Sequence, residues 1–294
     1  MVDIRRVRLL NERQERRGAV VYWMSRDQRV RDNWALLFAQ ELALRLRRPL
    51  VVVFCLVPRF LGATIRQYGF MLKGLQEVSQ VLQEKNIGFA LIAGRPEQEV
   101  PTFIHDCGGG ALVTDFDPLR VKREWKTRVA ERIKVPCYEV DAHNIVPCWV
   151  ASPKQEYAAR TFRPNVRRVV AEFIKPFPSV KKHRVPWHGK LRKVAWNKVG
   201  RQLQVDRTVQ EVDWITPGGK AAKPTLRWFL RHRLVEYDEA RNDPNKEGQS
   251  SLSPYPHFGQ IPAQRVAIEI LKSDPPAPAK EAFLEELIVR REVA

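Results

Sequence analysis

The stretch AVVYWMSRDQRVRDNWALLFAQ, residues 19–40, decides the fold class. It begins with six apolar or aromatic residues, Ala19–Met24, a length and composition suited to a strand that is buried on both faces. Asp32 and Asn33 then stand where they can cap a helix, and apolar side chains recur at about every fourth position after them. A buried strand followed directly by an amphipathic helix predicts the first unit of a parallel α/β sheet.

Four further apolar runs repeat this pattern along the first half of the chain. They are LVVVFCL (50–56), FALIA (89–93), ALVTDF (111–116) and CYEV (137–140), with helical stretches between them. The alternation predicts a five-stranded, doubly wound parallel sheet with right-handed crossovers. No G-x-G-x-x-G follows the first strand, and CGGGA (107–111) precedes a strand, so we interpret it as a helix-ending turn and not as a phosphate loop.

The pattern changes after about Ile174. A stretch rich in Pro and Lys follows, which we interpret as a linker wrapped over the surface, and helical periodicity returns from Lys220. We therefore predict an α/β domain over residues 18–175, a linker over 176–220 and an incomplete all-helical domain over 221–294. The final stretch, PAKEAFLEELIVRREVA, is an amphipathic helix that reaches the last residue, and we expect the sequence to be a piece of a longer protein.

The charge balance favours a polyanionic partner. The chain has 51 Lys and Arg against 33 Asp and Glu, a net charge of +18, for which nucleic acid is the commonest explanation and solubility the alternative. The segment Lys181–Arg201 holds eight Lys or Arg and no acid, interleaved with Trp187 and Trp196. Such a segment attracts phosphates, although a tail or a mobile linker has the same composition.

Other features exclude several classes of protein. No apolar run is long enough to cross a membrane, and the basic N-terminus MVDIRRVRLLNERQERRG lacks the apolar centre of a secretory signal, so we interpret it as a flexible arm and expect a nuclear or cytoplasmic location, with an organelle as the alternative. The histidines show no metal-ligand spacing, and no metal site is expected. The four cysteines lie in apolar surroundings and predict buried thiols: Cys55, Cys107, Cys137 and Cys148.

A cluster of hydroxyl side chains opens the stretch SSLSPYPHFGQI, residues 250–261. Ser253-Pro254 is a helix-start pair, because serine can cap the free N–H groups and proline fits the first helical position. A helix start carries partial positive charge, so with Ser250 and Ser251 just upstream it forms a plausible cradle for a pyrophosphate. The alternative is an ordinary capped helix after a polar loop.

A family resemblance decides between these alternatives. The stretch SSLSPYPHFGQIPAQR (250–265) resembles the flavin-binding signature of the DNA photolyase and cryptochrome family. VVYWMSRDQRVRDNWALLFAQ, TDFDPLRVKREW, EVDAHNIVPCW and FLEELIVRRE resemble the class II cyclobutane pyrimidine dimer photolyases of that family. The resemblance implies an N-terminal antenna domain built on the parallel sheet, a linker, and a C-terminally truncated helical domain that binds FAD.

The resemblance also assigns site residues. Glu286 matches the catalytic acid that lies between the flavin and the flipped dimer, and Arg241 matches a basic position that faces DNA. Six positions match flavin contacts, the last five of them on the phosphate side: Tyr237, Gln249, Ser250, Ser251, Leu252 and Ser253. Pro256 and Pro262 depart from the usual pattern, and Pro256 removes one N–H that could have faced a phosphate.

The activity that the resemblance implies is light-driven repair of cyclobutane pyrimidine dimers by electron transfer from reduced FAD, which makes the enzyme a carbon–carbon lyase. The implied partner is double-stranded DNA that contains pyrimidine dimers, bound by a monomer. An antenna chromophore, 8-hydroxy-deazaflavin or a folate, is the further cofactor expected. Two alternatives stay open: a cryptochrome-like flavin photoreceptor, and a non-catalytic basic fragment that binds nucleic acid.

Overall fold

Six strands form one mixed sheet in the order β1-β6-β5-β2-β3-β4. Strands β2 to β6 run parallel to one another, which confirms the predicted five-stranded parallel sheet, and β1 adds an antiparallel strand at one edge beside β6. The strands are β1 (Val7–Leu9), β2 (Ala19–Met24), β3 (Leu50–Leu56), β4 (Gly88–Ala93), β5 (Gly109–Asp115) and β6 (Cys137–Val140).

Helices occupy most of the remaining chain in this computed structural model, which describes residues Met1–Val293. Up to residue 175 they are α1 (Trp34–Arg45), α2 (Ile65–Glu84), α3 (Pro96–Asp106), α4 (Arg120–Arg132), α5 (Cys148–Ala151) and α6 (Ala159–Phe173). After it they are α7 (Trp196–Val199), α8 (Gly219–His232), α9 (Tyr237–Ala240), α10 (Pro254–His257), α11 (Ala263–Lys272), α12 (Ala277–Leu284) and α13 (Arg291–Val293), with a π-helical segment at Glu285–Arg290. Short 3-10 turns lie at Ile4–Arg6, Gly200–Gln202 and Leu234–Glu236.

Two compact units divide the chain. The sheet unit comprises residues 1–142 and 178–218, and the helical unit comprises residues 143–177 and 219–294. The chain thus leaves the helical unit after residue 177 and re-enters it at residue 219. The domain boundaries predicted from the sequence, at residues 175 and 220, stay predictions.

The prediction of a flexible N-terminal arm is wrong for the first residues of the chain. A 3-10 turn and strand β1 attach them to the sheet, where Val7 pairs with Val140. Arg6 is only 1% exposed, and its Nη1 donates to the carbonyl of Asp141 at 3.0 Å. Its guanidinium also lies 5.3 Å from the ring centroid of Trp34. A strand of three residues is too short to show an apolar period, so the sequence pattern could not reveal it.

The turn after β2 is built around a buried carboxylate in place of a glycine-rich loop. One oxygen of Asp115 accepts the backbone N–H groups of Ser25, Arg26 and Asp27 at 2.8–3.0 Å, and the other accepts the Tyr22 hydroxyl at 2.6 Å. Burial, followed by the nearby charge of Asp27, raises the pKa of Asp115 to about 6. These groups lie at the carboxyl ends of β2 and β5, from which the chain crosses over in opposite directions.

Helix α1 starts at the predicted cap. The side chain of Asn33 accepts the N–H of Leu36 at 3.0 Å, and its amide group donates to the Tyr22 hydroxyl and to two backbone carbonyls, those of Asp27 and Arg29. Cys107 and Gly108, the latter with φ +62°, end α3 before β5 begins, which confirms the interpretation of CGGGA as a helix-ending turn.

The cysteines differ in exposure. Cys55 and Cys137 are buried, Cys107 is partly buried and Cys148 is exposed, so the prediction of buried thiols is wrong for Cys148. Cys148 opens α5, a single helical turn whose buried residue is Ala151. Within residues Met1–Val293, no helix combines the length and the apolar character that a bilayer crossing needs.

The core of the helical unit joins α6 to the C-terminal segment. Phe162 and Val166 of α6 pack in one apolar cluster with Ile288 and Val289 of the π-helical segment. The Glu292 carboxylate accepts the backbone N–H of Ile145 at 2.7 Å, so the last described turn is anchored to the start of this unit. The core therefore fixes the segment that carries Glu286.

Candidate functional site

Tyr237 lies in an aromatic cluster of the helical unit. It opens α9, is 7% exposed, and its ring meets the ring of Phe283 edge-on at a centroid distance of 4.8 Å. Phe229 of α8 completes the cluster, at 5.8 Å from Tyr237 and 4.8 Å from Phe283. Burial raises the pKa of the Tyr237 hydroxyl, and Arg241 offsets part of that effect. The hydroxyl therefore stays protonated at neutral pH and remains a hydrogen-bond donor.

Arg241 and Glu286 form an ion pair beside this tyrosine. Arg241 Nη1 donates to Glu286 Oε1 at 2.9 Å, and the guanidinium lies 5.8 Å from the centroid of the Tyr237 ring. The two side chains are 26% and 42% exposed, so both reach solvent. Arg241 Nε is buried and has no hydrogen-bond partner within residues 1–293. The sequence assigned these three residues separately, and the fold brings them together.

The acid next to Glu286 is held by different arginines. Glu285 Oε1 accepts Nε and Nη2 of Arg163 at 2.9 and 2.6 Å, and Arg167 lies 3.7 Å from its other oxygen. The hydrogen bonds from Arg163 hold the pKa of Glu285 below its usual range. Both acids belong to the π-helical segment Glu285–Arg290, a geometry that often occurs at functional sites. Glu285 is thus fixed to α6, whereas Glu286 points to Arg241.

Hydrogen bonds connect the predicted phosphate-side loop to the same arginine. Gln249 Nε2 donates to the backbone carbonyl of Arg241 at 2.7 Å, and Arg233 Nη1 donates to the backbone carbonyl of Gln249 at 3.0 Å. The Ser250 hydroxyl accepts the N–H of Leu252 at 3.3 Å, and Ser251 has a φ of +57°. Leu252 is buried, and this anchors the loop to the helical unit.

Ser253 does not make the capping bond that the sequence predicts. It precedes α10 as expected, but it has helical dihedral angles (φ −47°, ψ −40°) and its side chain caps no N–H. An N-cap residue usually has extended dihedral angles, and its hydroxyl then accepts a free N–H of the first helical turn. Ser253 has helical angles, so its hydroxyl does not accept such an N–H. Ser253 and Ser251 are instead exposed, and their hydroxyls are free to meet a ligand from solvent.

The helix after Ser253 also contributes less than predicted. Helix α10 is a single turn, and Pro254 and Pro256 remove two of its N–H groups. The N–H of Tyr255 already donates to the carbonyl of Leu252 at 2.9 Å. Anion binding at this loop would therefore depend on hydroxyl groups and nearby arginines more than on a helix dipole. Pro262, the other departure from the family pattern, stands directly before α11 and does not interrupt it.

Two residues that hold this arrangement were not predicted from the sequence. Arg233 binds the loop at Gln249, forms an ion pair with Glu247, and stacks on Trp228 with its guanidinium carbon 4.5 Å from the ring centroid. Glu285 holds the π-helical segment as described above. Basic and acidic residues are common in helices, so neither position carried a signal in the sequence.

The arrangement fits a flavin dinucleotide. The exposed hydroxyls of Ser251 and Ser253 are suited to a phosphate, and the buried Nε of Arg241 is a donor that needs an acceptor. The Phe229–Tyr237–Phe283 cluster is apolar, but its rings are only 0–7% exposed, so a planar ring could pack only against its outer edge. Among residues 1–293, no group of three His, Cys, Asp or Glu converges as a metal site would require.

Comparison with known proteins places the chain in a family. The family model for DNA photolyase matches residues 20–182. The deoxyribodipyrimidine photo-lyase of Potorous tridactylus is 46% identical over 98% of this chain and 56% of its own length. That of Arabidopsis thaliana is 43% identical over 94% of this chain and 58% of its own length. The chain thus spans just over half the length of these relatives.

Solved structures share the fold. A bacterial class III photolyase from Agrobacterium tumefaciens superposes with a TM-score of 0.70 at 19% identity, over 95% of this chain and 59% of that one. A cryptochrome from Synechocystis gives a TM-score of 0.68 at 15% identity, over 93% and 60% of the two chains. At these identities the two structures establish the fold alone. On the match of its family model over more than half of its residues, the chain belongs to the DNA photolyase family.

Proposed function

We propose that the chain is part of an enzyme that repairs cyclobutane pyrimidine dimers in DNA with light, by electron transfer from reduced FAD. The observation that carries this proposal is the position of Arg241. This residue is hydrogen-bonded both to Gln249 of the predicted phosphate-side loop and to Glu286, the predicted lesion-contacting acid. It would therefore connect a flavin-binding element to a DNA-facing element within about one side-chain length.

The helical unit would hold FAD in two ways. The loop Gln249–Ser253 would bind the diphosphate with its exposed serine hydroxyls, and the buried ring of Tyr237 would pack against the flavin. When bound, the reduced flavin supplies the electron that opens the cyclobutane ring. Support for this part of the proposal comes from the fit of the residues and from the family of the chain.

Arg241 and Glu286 would act on the DNA side. The dimer must leave the base stack to reach the flavin, and a damaged base pair lowers that cost, which is a few kcal/mol for an intact pair. Arg241 would bind a phosphate that flanks the flipped dimer and would give up its partly exposed contact with Glu286 to do so. The carboxyl of Glu286 is then available to hydrogen-bond the flipped thymine and to stabilise charge that develops on it.

The wider partners follow from the same proposal. Double-stranded DNA is the substrate, and the net charge of +18 supplies a sequence-independent attraction for its backbone. An antenna chromophore of the deazaflavin or folate class would bind the sheet unit, and this stays a prediction from the family resemblance. The class II assignment, the monomeric state and the nuclear or cytoplasmic location stay predictions as well.

Repair of a defined lesion tests the proposal. The purified protein with reduced FAD is incubated with a duplex that carries one thymine dimer, in light and in the dark, and the remaining dimer is quantified. We expect loss of the dimer in light only. The Glu286→Gln variant should repair more slowly at unchanged FAD affinity, because the amide cannot stabilise developing charge as a carboxyl does.

The same assay separates the alternatives. FAD binding without any light-dependent loss of the dimer would contradict the repair function and favour a photoreceptor. Equal affinity for damaged and undamaged duplex, without bound flavin, would contradict both and favour a nucleic-acid-binding fragment.

A further inference from the structure

A polybasic segment of the sheet unit is fixed around an open edge of the sheet. Residues 181–201 contain eight Lys or Arg and no acid, and all eight basic side chains are exposed. None of the eight forms an ion pair with an acid of residues 1–293. We call this segment the basic ridge.

Backbone and histidine contacts hold the start of the basic ridge. Lys181 and Gln40 exchange two hydrogen bonds, from Gln40 Nε2 to the Lys181 carbonyl at 2.8 Å and from the Lys181 N–H to Gln40 Oε1 at 2.9 Å. His183 is buried, its N–H donates to the carbonyl of Lys85 at 2.7 Å, and its Nε2 lies 2.8 Å from the carbonyl oxygen of Arg48. The segment is therefore attached to α1 and to the turns after α1 and α2.

Two tryptophans show how the basic ridge continues. Trp187 packs on the core at Gly88, where an added Cβ would lie 3.0 Å from the Trp187 ring, and Trp196 stacks on Phe89 at a centroid distance of 6.2 Å. Successive residues of a strand point to opposite faces of the sheet, so Gly88 and Phe89 of β4 face opposite sides. The chain between Trp187 and Trp196 therefore passes around β4, which is an edge strand.

This crossing brings cations to the sheet edge. Leu191 still packs beside Trp187 on the Gly88 side, so the crossing lies between Leu191 and Trp196. It contains Arg192 and Lys193, Lys190 lies just before it, and all three basic side chains are exposed. Positive charge at an edge strand also protects against edge-to-edge pairing, which is the competing explanation. Residues 181–201 hold eight cations and no acid, which is more positive charge than the protection of the six-residue strand β4 from edge-to-edge pairing requires.

The direction of the aromatic rings indicates which polyanion fits. Binding of single strands uses exposed aromatic rings on which bases stack, and membrane-surface binding uses aromatic side chains that insert into the bilayer. Here both tryptophans pack against the sheet, so neither mode is available. A duplex backbone needs only cations, and it presents a regular row of phosphates to them.

We propose that the basic ridge is a second DNA-contacting surface, which binds the phosphate backbone of undamaged duplex without regard to the lesion. Because the segment is already fixed, binding loses little conformational entropy. The inference rests on the proposed function only in taking DNA as the polyanion. It concerns residues of the sheet unit, whereas the flavin and lesion residues belong to the helical unit.

Salt-dependent binding to a short undamaged duplex tests the proposal without flavin or light. The variant carries Lys190→Gln, Arg192→Gln and Lys193→Gln. Each lost phosphate contact lowers the magnitude of the slope of log K against log salt by about 0.9, so we expect a decrease of about 2–3 and a loss of affinity of at least about tenfold at low salt.

Two control variants make the result specific. Arg5→Gln, Arg45→Gln and Arg120→Gln together remove the same charge from exposed arginines of the sheet unit that are paired with acids, and this variant should keep most of the salt slope. Lys190→Arg, Arg192→Lys and Lys193→Arg together keep the charge and should bind as the parent does. Thermal unfolding of each variant checks that the fold is retained.

Three outcomes would overturn the inference. The first is an equal loss of slope in the ridge variant and in the paired-arginine control. The second is a single-stranded oligonucleotide that binds more tightly than the duplex and depends on the same three residues. The third is ridge-dependent binding to anionic lipid vesicles with no effect on duplex. A failure of the protein to bind FAD or to repair dimers leaves this result unchanged, so the two proposals fail separately.

Discussion

Arg241 and Glu286 are 45 residues apart in the chain and are joined by a hydrogen bond of 2.9 Å from Nη1 to Oε1. The pair lies beside the buried ring of Tyr237, and the carbonyl of Arg241 accepts the side chain of Gln249. One arginine thus contacts every part of the site that the sequence assigned: the aromatic residue, the acid and the phosphate-side loop.

Replacement of Arg241 by Gln should affect function much more than stability. Because the ion pair is partly exposed, its loss costs less than about 1 kcal/mol of unfolding free energy. Loss of a phosphate contact should weaken binding to a dimer-containing duplex by about tenfold at low salt. Arg231→Gln, which removes an exposed arginine of α8, is the matched control. Equal binding by both variants would contradict the assigned role of Arg241.

The neighbouring acids should behave differently on mutation. Glu285→Gln removes a carboxylate that accepts two hydrogen bonds from Arg163. We therefore expect the free energy of unfolding to fall by about 1 kcal/mol at neutral pH. Because the pKa of Glu285 is lowered in the folded state, its contribution is present above the ordinary value of 4.5 and is lost as pH falls through the lowered pKa. Urea unfolding at neutral and acid pH measures this. An equal effect of Glu285→Gln at neutral and at acid pH would contradict this role of the carboxylate.

Asp115 should show the opposite dependence on pH. Its pKa is raised to about 6 from an ordinary value of 3.8, so the folded chain holds a proton over this window that the unfolded chain has released. The stabilising contribution of this proton is therefore full below the ordinary value and is lost as pH rises through about 6. The asparagine of Asp115→Asn cannot titrate. As the pH is lowered from about 7 to about 4, the unfolding free energy of the parent should therefore rise by on the order of 2 kcal/mol relative to that of this variant.

The control for this measurement is Gln80→Ala, which changes an exposed residue of α2 that carries no titrating group. The difference between this variant and the parent should stay constant over the same pH range. A constant difference for Asp115→Asn as well would mean that Asp115 is ionised throughout, which contradicts the account of its burial.

Asn33→Ala should destabilise the sheet unit by about 2–4 kcal/mol. The side chain caps α1, which contributes about 1 kcal/mol, and its removal leaves the buried acceptors of its amide group without a donor. Thr64→Ala removes the cap of α2 at a less buried position and should cost only about 1 kcal/mol. Chemical unfolding of both variants tests the difference, and equal losses would contradict the role of the buried amide.

The strongly periodic elements could be predicted from the sequence, and the reasons lie in particular residues. Ala19–Met24 and Leu50–Leu56 are continuous apolar runs because both faces of a parallel sheet are covered. Asn33 stands directly before an amphipathic stretch, which is the usual position of a helix cap. Strand β1 was not predicted because its attachment to the sheet depends on Arg6. This charged residue is buried, and it donates a hydrogen bond to a carbonyl that lies 135 positions away in the chain.

The candidate site was predictable only where a family motif exists. The motif located Ser250 to Ser253, but it could not show that Ser253 would be helical and leave its hydroxyl uncommitted. Arg233 and Glu285 act through contacts between segments that are distant in sequence, and no local pattern distinguishes them from solvated charges. Tertiary contacts of single side chains are the part of the structure that sequence periodicity does not encode.

We propose that Tyr237 and the loop Gln249–Ser253 bind a flavin dinucleotide. Equilibrium dialysis of the purified protein against FAD and, separately, against riboflavin, which lacks the diphosphate, tests this site. We expect FAD to bind more tightly than riboflavin, and we expect Ser251→Ala with Ser253→Ala to weaken FAD binding while leaving riboflavin binding unchanged. Absence of FAD binding, or equal affinity for the two flavins, would contradict the account.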